Sequence, residues 1–149
     1  MDLPEIIISE EFKKRVCLVA FDMDQTCLDL HTSGVGIRDN QTLPPSNAIY
    51  RPHPAKEIVN HVKDVVKVVI PALLKSGIAV AICTNTDVQM AYHPSLMGGR
   101  EFVEYIFGNT FKEYPDICNH LFIEAWRGNI QAVEVSFIIL CYLLGMWKE

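Results

Sequence analysis

Apolar and polar positions fall in blocks along this chain, and the blocks differ in period. Residues 15–21, RVCLVAF, are continuously apolar after the first and rich in Val and Leu. A short run of that kind predicts a strand buried on both faces, as in a parallel sheet. Residues 27–54 are the reverse. Their HTSGVGIRDNQTLPPSN is loaded with Gly, Pro, Ser, Asn and Asp, which predicts a loop or short hairpin. Long irregular segments inside a compact domain are commonly functional flaps.

From 54 to 76 the period turns helical. Ile58, Val62, Val65, Val66 and Val69 recur at three- and four-residue steps. Pro54 suits the start and Gly77 the stop. Pro71 has no amide donor, so it is expected to kink or divide the helix. IAVAICT, 78–84, predicts a second apolar strand, with NTD as a turn after it. GGREFVEYIFG, 98–108, predicts a short helix ended by Gly108. HLFIEAW and AVEVSFIIL each read as a strand or as part of a helix. The order strand, loop, helix, strand, loop, helix predicts an α/β fold. The expected architecture is one Rossmann-like domain over 1–149, a parallel sheet flanked by helices.

Composition changes this picture little. An apolar fraction of 50% in 149 residues is ample for a core. Thirteen basic against 18 acidic residues, a net charge of -5, argues against nucleic acid as a main partner. The basic triplet Lys13, Lys14 and Arg15 is read as solvating the entry to the first strand. Cys17, Cys27, Cys83, Cys118 and Cys141 are odd in number and form no CxxC pair. Free thiols in a reducing, cytoplasmic compartment are expected. Cys118 and His120 make a CxH pair without the second pair that zinc needs. His31, His53, His61, His93 and His120 show no metal spacing. The N-terminus lacks the shape of a signal peptide. The longest apolar run, 135–147, is shorter than the ~18 residues of a membrane span, so a buried element is expected there and no membrane contact.

Two polar clusters, DMDQT and TNTD, sit where the apolar strands end. In open α/β sheets, ligands bind beyond the carboxyl ends of the strands. Asp22 and Asp24 stand one residue apart, and two close carboxylates repel unless a cation intervenes. A hard divalent ion such as Mg2+ prefers oxygen ligands and removes that penalty. Asp22 can then stay ionised and attack phosphorus. Asp24 can give a proton to the leaving group and later take one from water. Thr84 offers a hydroxyl to a phosphate oxygen, and Asn85 adds donors beside it.

The strings VCLVAFDMDQT and IAVAICTN together resemble the first and second motifs of the haloacid dehalogenase superfamily, in its phosphatase branch. The resemblance covers about 14–87. It implies Asp22 as the phosphoryl-accepting nucleophile and Asp24 as acid/base. It implies Mg2+ held by the Asp22 carboxylate and the Asp24 backbone carbonyl, and Thr84 on the transferring phosphoryl group. The segment 27–54 would be a flap or small cap, since too few residues lie between the motifs for a large cap domain. The expected activity is Mg2+-dependent hydrolysis of a phosphomonoester, on a small molecule or a phosphoprotein, through an aspartyl-phosphate.

Two family features are harder to place. Lys112 is the best candidate for the cation that steadies the phosphoryl group, although it also reads as an ordinary surface lysine. The later acidic motif that completes the metal site is absent, because Glu113, Asp116, Glu124, Glu134 and Glu149 are isolated. The apolar tail stands in its place, as in a truncated product, an alternative C-terminus or a divergent protein. The alternative expectation is therefore a catalytically impaired relative that serves as a phosphate-binding or protein-interaction module.

Overall fold

The chain is described by a computed structural model over residues 6–42, 52–87 and 93–127. It opens with α1, Glu10–Arg15. Ser9 caps this helix by accepting from the Phe12 amide at 3.2 Å. Glu10 and Glu11 fill its first turn, and Lys13, Lys14 and Arg15 its last. The basic triplet thus complements a helix dipole rather than leading a strand.

Strands β1 (Leu18–Asp22), β3 (Ala79–Thr86) and β5 (Leu121–Arg127) form a parallel sheet in the order β1-β3-β5. The register sets Asp22 against Cys83, and Thr84 against Ala125. Two short strands, β2 (Val35–Ile37) and β4 (Leu96–Gly98), pair antiparallel in a second small sheet. Helices α2 (Ala55–Ile58), α3 (Asp64–Lys75), α4 (Gly99–Thr110) and α5 (Pro115–Asn119) complete the described residues. The architecture is α/β, a three-stranded parallel sheet flanked by helices and compatible with a Rossmann-like fold. HLFIEAW supplies β5, while AVEVSFIIL and the apolar run 135–147 lie outside the described residues. No helix among the described residues is long and apolar enough to cross a membrane.

The core lies between sheet and helices. Ile58, Val62, Val66, Ile70 and Leu73 meet Val80 and Ile82 of β3 and Phe102, Val103, Ile106 and Phe107 of α4. Burial of this apolar face against the sheet, rather than helix propensity, is what holds α3 and α4 in place.

Four sequence expectations need correction. The helix expected over 54–76 divides at Val62 and Lys63, not at Pro71, which sits inside α3. The cause is tertiary. Val62 bridges Leu28, the Lys63 amide donates to the Cys27 carbonyl at 2.9 Å, and the Asp29 amide donates to the His61 carbonyl at 3.0 Å. Helical phase restarts at Asp64, so Val65 turns outward and Ile70 and Leu73 take the buried face. Second, β3 runs through Thr86, so 85–86 belong to the strand and not to a turn. Third, α4 passes Gly108 and ends at Thr110. Fourth, β1 is not buried on both faces. It lies at an edge of the sheet among the described residues, with Ala20 exposed and Leu18, Val19 and Phe21 half-buried.

Gly77 does stop α3, at φ +76°. Its amide donates to the Leu74 carbonyl and the Ile78 amide to the Leu73 carbonyl, both at 3.0 Å, a closure that needs a left-handed residue.

Candidate active site

The parallel register brings the ends of β1 and β3 to one edge of the sheet. Asp22 is the last residue of β1 and is exposed there. Partial burial of its carboxyl raises its pKa above the ordinary value, and the charge of Asp24 adds to that. The Met23 amide, His31 and the Thr26 hydroxyl pull the other way. Asp22 therefore carries an unfavourable charge that a cation would relieve.

After Asp22 the chain makes an irregular turn over Met23–Cys27, closed by the Leu28 amide donating to the Met23 carbonyl at 3.0 Å. Gln25 is left-handed, at φ 60°. The turn buries Met23 and Cys27 completely and swings Asp24 toward the flap. Asp24 Oδ2 accepts from the Thr32 amide at 2.9 Å and the Ser33 amide at 2.8 Å. Its Oδ1 accepts from the Thr32 hydroxyl at 2.5 Å. His31 Nδ1 stands 3.3 Å from Oδ2. Both Asp24 oxygens thus accept hydrogen bonds within the protein.

The flap turn is seated on β3. Ser33 and Gly34 are consecutive left-handed residues, at φ 54° and 66°. The Asp87 amide donates to the Ser33 carbonyl at 3.0 Å. A Cβ on Gly34 would lie 2.5 Å from the Asn85 carbonyl oxygen, so only glycine lets the flap approach this closely. Farther out, β2 pairs with β4, and Arg38 forms a two-pronged ion pair with Glu101 of α4. That bond holds the Glu101 carboxyl below its usual range. The Tyr105 hydroxyl donates to Asp39 at 2.7 Å. Residues 27–54 are therefore tied to the body of the domain wherever they are described.

The expected phosphate ligands are scattered differently. Thr84 is buried and one step past the level of Asp22. Asn85 is exposed and, because side chains alternate along a strand, projects from the opposite face. Thr86 is buried, and its hydroxyl accepts from the Gly99 amide at 2.9 Å at the start of α4. Lys112 lies beyond the other end of α4, about 18 Å along a twelve-residue helix. That is the edge where β3 and β5 begin, so the fold does not bring Lys112 to Asp22.

A different lysine reaches the turn that follows Asp22. Lys63 precedes α3, whose start faces the carboxyl edge of the sheet, and its Nζ donates to the Gln25 carbonyl at 2.5 Å. Its charge also acts on Cys27. Nothing in the periodicity marked Lys63, because the break that places it comes from the Leu28–Val62 bridge.

Two thiols lie near this edge. Burial, then the charge of Asp22, pushes the Cys27 thiol up to about 12. Burial, then Glu124 and Asp22, pushes Cys83 up to about 11. Both surroundings favour the thiol over the thiolate. Cys118 donates to the Phe107 carbonyl at 3.5 Å instead of pairing with His120. Among the described residues no three His, Cys, Asp or Glu side chains gather as a metal cluster. The oxygen donors that the resemblance would assign to Mg2+ are the Asp22 carboxylate and the Asp24 backbone carbonyl, two of the several oxygens this ion takes.

Comparison with known proteins finds no counterpart: no family model, no curated protein and no solved structure matches this chain.

Proposed function

We propose that this chain is a Mg2+-dependent phosphomonoester hydrolase of the haloacid dehalogenase type. The observation that carries the reading is the register of β1 and β3. It sets Asp22 beside Cys83, so the end of FDMDQT and the end of AICTN share one edge.

In this reading an Asp22 carboxylate oxygen attacks phosphorus, and the bond from phosphorus to the substrate's ester oxygen breaks. Asp24 gives its proton to that leaving oxygen, then takes one from the water that cleaves the aspartyl-phosphate. The two Thr32 groups and the Ser33 amide fix where Asp24 stands, so the flap positions the proton carrier. Thr84 donates to a phosphoryl oxygen, and Lys63 takes the steadying role first assigned to Lys112. The Asp22 carboxylate and the Asp24 carbonyl would hold Mg2+, which when bound offsets the negative charge gathered at the phosphoryl group.

The test is release of phosphate from an aryl phosphate by the purified full chain, with Mg2+ and with chelator. Release that needs Mg2+ and disappears in Asp22→Asn supports the reading. Equal release by both proteins removes Asp22 as nucleophile. A second reading, a phosphate-binding or protein-interaction module, draws on one observation: both Asp24 oxygens are satisfied inside the fold. Phosphate binding without turnover supports it.

A further inference from the structure

A concave site lies among the helices, lined by none of the residues at the Asp22 edge, and the reading above makes no use of it. A cavity of about 430 Å³ opens between the later half of α3, the end of α4 and α5, with Ile6 at its mouth. Its walls are Val68, Pro71 and Ala72 of α3, Phe111 after α4, and Tyr114 and Ile117. That volume lies within the range that holds small molecules, about 300–1,000 Å³.

Among the described residues the charged groups on these walls have one sign: Lys67 and Lys75 line the cavity and no carboxylate does. They stand eight residues apart on one helix, roughly 12 Å along its axis, with the apolar wall between them. Lys67 contacts Asp64 at 2.9 Å in an exposed pair of the kind that contributes little and that a ligand can displace. The Thr110 hydroxyl donates to the Ile106 carbonyl at 2.8 Å, so its proton is committed within the helix. Lysine stems line apolar surface while their ammonium groups stay at the rim. An apolar trough with cations at its rim is complementary to a molecule with an aliphatic body and an anionic end.

We propose that the cavity between α3, α4 and α5 binds an aliphatic carboxylate, its chain along Val68, Pro71 and Ala72 and its carboxylate on Lys67 or Lys75. The site is separate from Asp22, so binding there needs no phosphatase activity.

The test is calorimetric titration of the full chain with decanoate, kept below its micelle concentration, beside decanol. Decanoate is expected to bind saturably with one molecule per chain. Decanol is expected to bind more weakly by about tenfold, the scale of one charge-assisted hydrogen bond. Replacing Lys67→Gln and Lys75→Gln together should bring decanoate to the level of decanol. Ala72→Trp, which fills the trough, should abolish binding of both, and Asp22→Asn should leave it unchanged. No saturable binding by the parent chain overturns the proposal. So does equal affinity for decanol, or full affinity in a folded Ala72→Trp protein. If Ala72→Trp does not fold, the double lysine variant decides, because both its lysines are at the rim and outside the core.

Discussion

Thr32 holds Asp24 twice, its amide donating to one carboxylate oxygen at 2.9 Å and its hydroxyl to the other at 2.5 Å. The same hydroxyl oxygen accepts from the Gly34 amide at 3.1 Å, and Thr32 is wholly buried. Thr32→Val keeps the shape and the amide but loses both hydroxyl bonds. A hydrogen bond to a carboxylate contributes about 2 kcal/mol. Unfolding in urea should show a loss of about that size, and phosphate release should fall further than stability does. An unchanged midpoint would mean that the flap is held elsewhere.

Gly34 and Gly108 should respond oppositely to the same change. Gly34 is left-handed and backed by the Asn85 carbonyl at 2.5 Å from a built Cβ. Gly34→Ala should cost more than about 2 kcal/mol, since strain and clash add. Gly108 lies inside α4 with open space around it. Gly108→Ala should add roughly 0.5–1 kcal/mol of stability. Thermal melts of the two variants check both signs.

The pH dependence of Asp22 has a definite sign. Its pKa is raised from 3.8 by burial first. The folded protein therefore holds that proton more tightly than the unfolded chain does. The associated stability is present below 3.8 and is lost as pH rises through the folded value. In Mg2+-free buffer at neutral pH, Asp22→Asn should melt slightly above the parent, with the difference vanishing in acid. Solvent screens this partly exposed group, so the shift is small. Added Mg2+ should raise the melting temperature of the parent only.

Lys63 reaches the turn that follows Asp22, through its bond to the Gln25 carbonyl. If it steadies the phosphoryl group, Lys63→Met should lower kcat by about a hundredfold. Lys63→Arg should restore part of that. Lys112→Met, at the other end of α4, should leave turnover unchanged. A loss of turnover in the Lys112 variant and none in the Lys63 variant would reverse the assignment.

The readable parts of this fold were those set by local pattern. The apolar runs located β1 and β3 but not their ends, and Gly77 ended α3 where its left-handed conformation is needed. Asp22 does end its strand, whereas Thr84 lies inside β3, which runs on to Thr86. What escaped was decided between distant segments. The Leu28–Val62 bridge broke a helix that its own periodicity would have continued, and so placed Lys63. The Thr32 and Ser33 amides reach Asp24 only because two left-handed residues fold the flap back. Backbone donors leave no signature in a sequence. Lys112 has only its charge to mark it in the sequence, and it lies beyond the far end of α4 from Gly99.

The account depends most on Asp22 accepting a phosphoryl group with Mg2+ beside it. Calorimetry with beryllofluoride, which mimics a phosphoryl group on a carboxylate, tests this without turnover. One equivalent should bind when Mg2+ is present, and neither Mg2+-free protein nor Asp22→Asn should bind it. Binding that survives in Asp22→Asn, or no binding by the parent with Mg2+, contradicts the account.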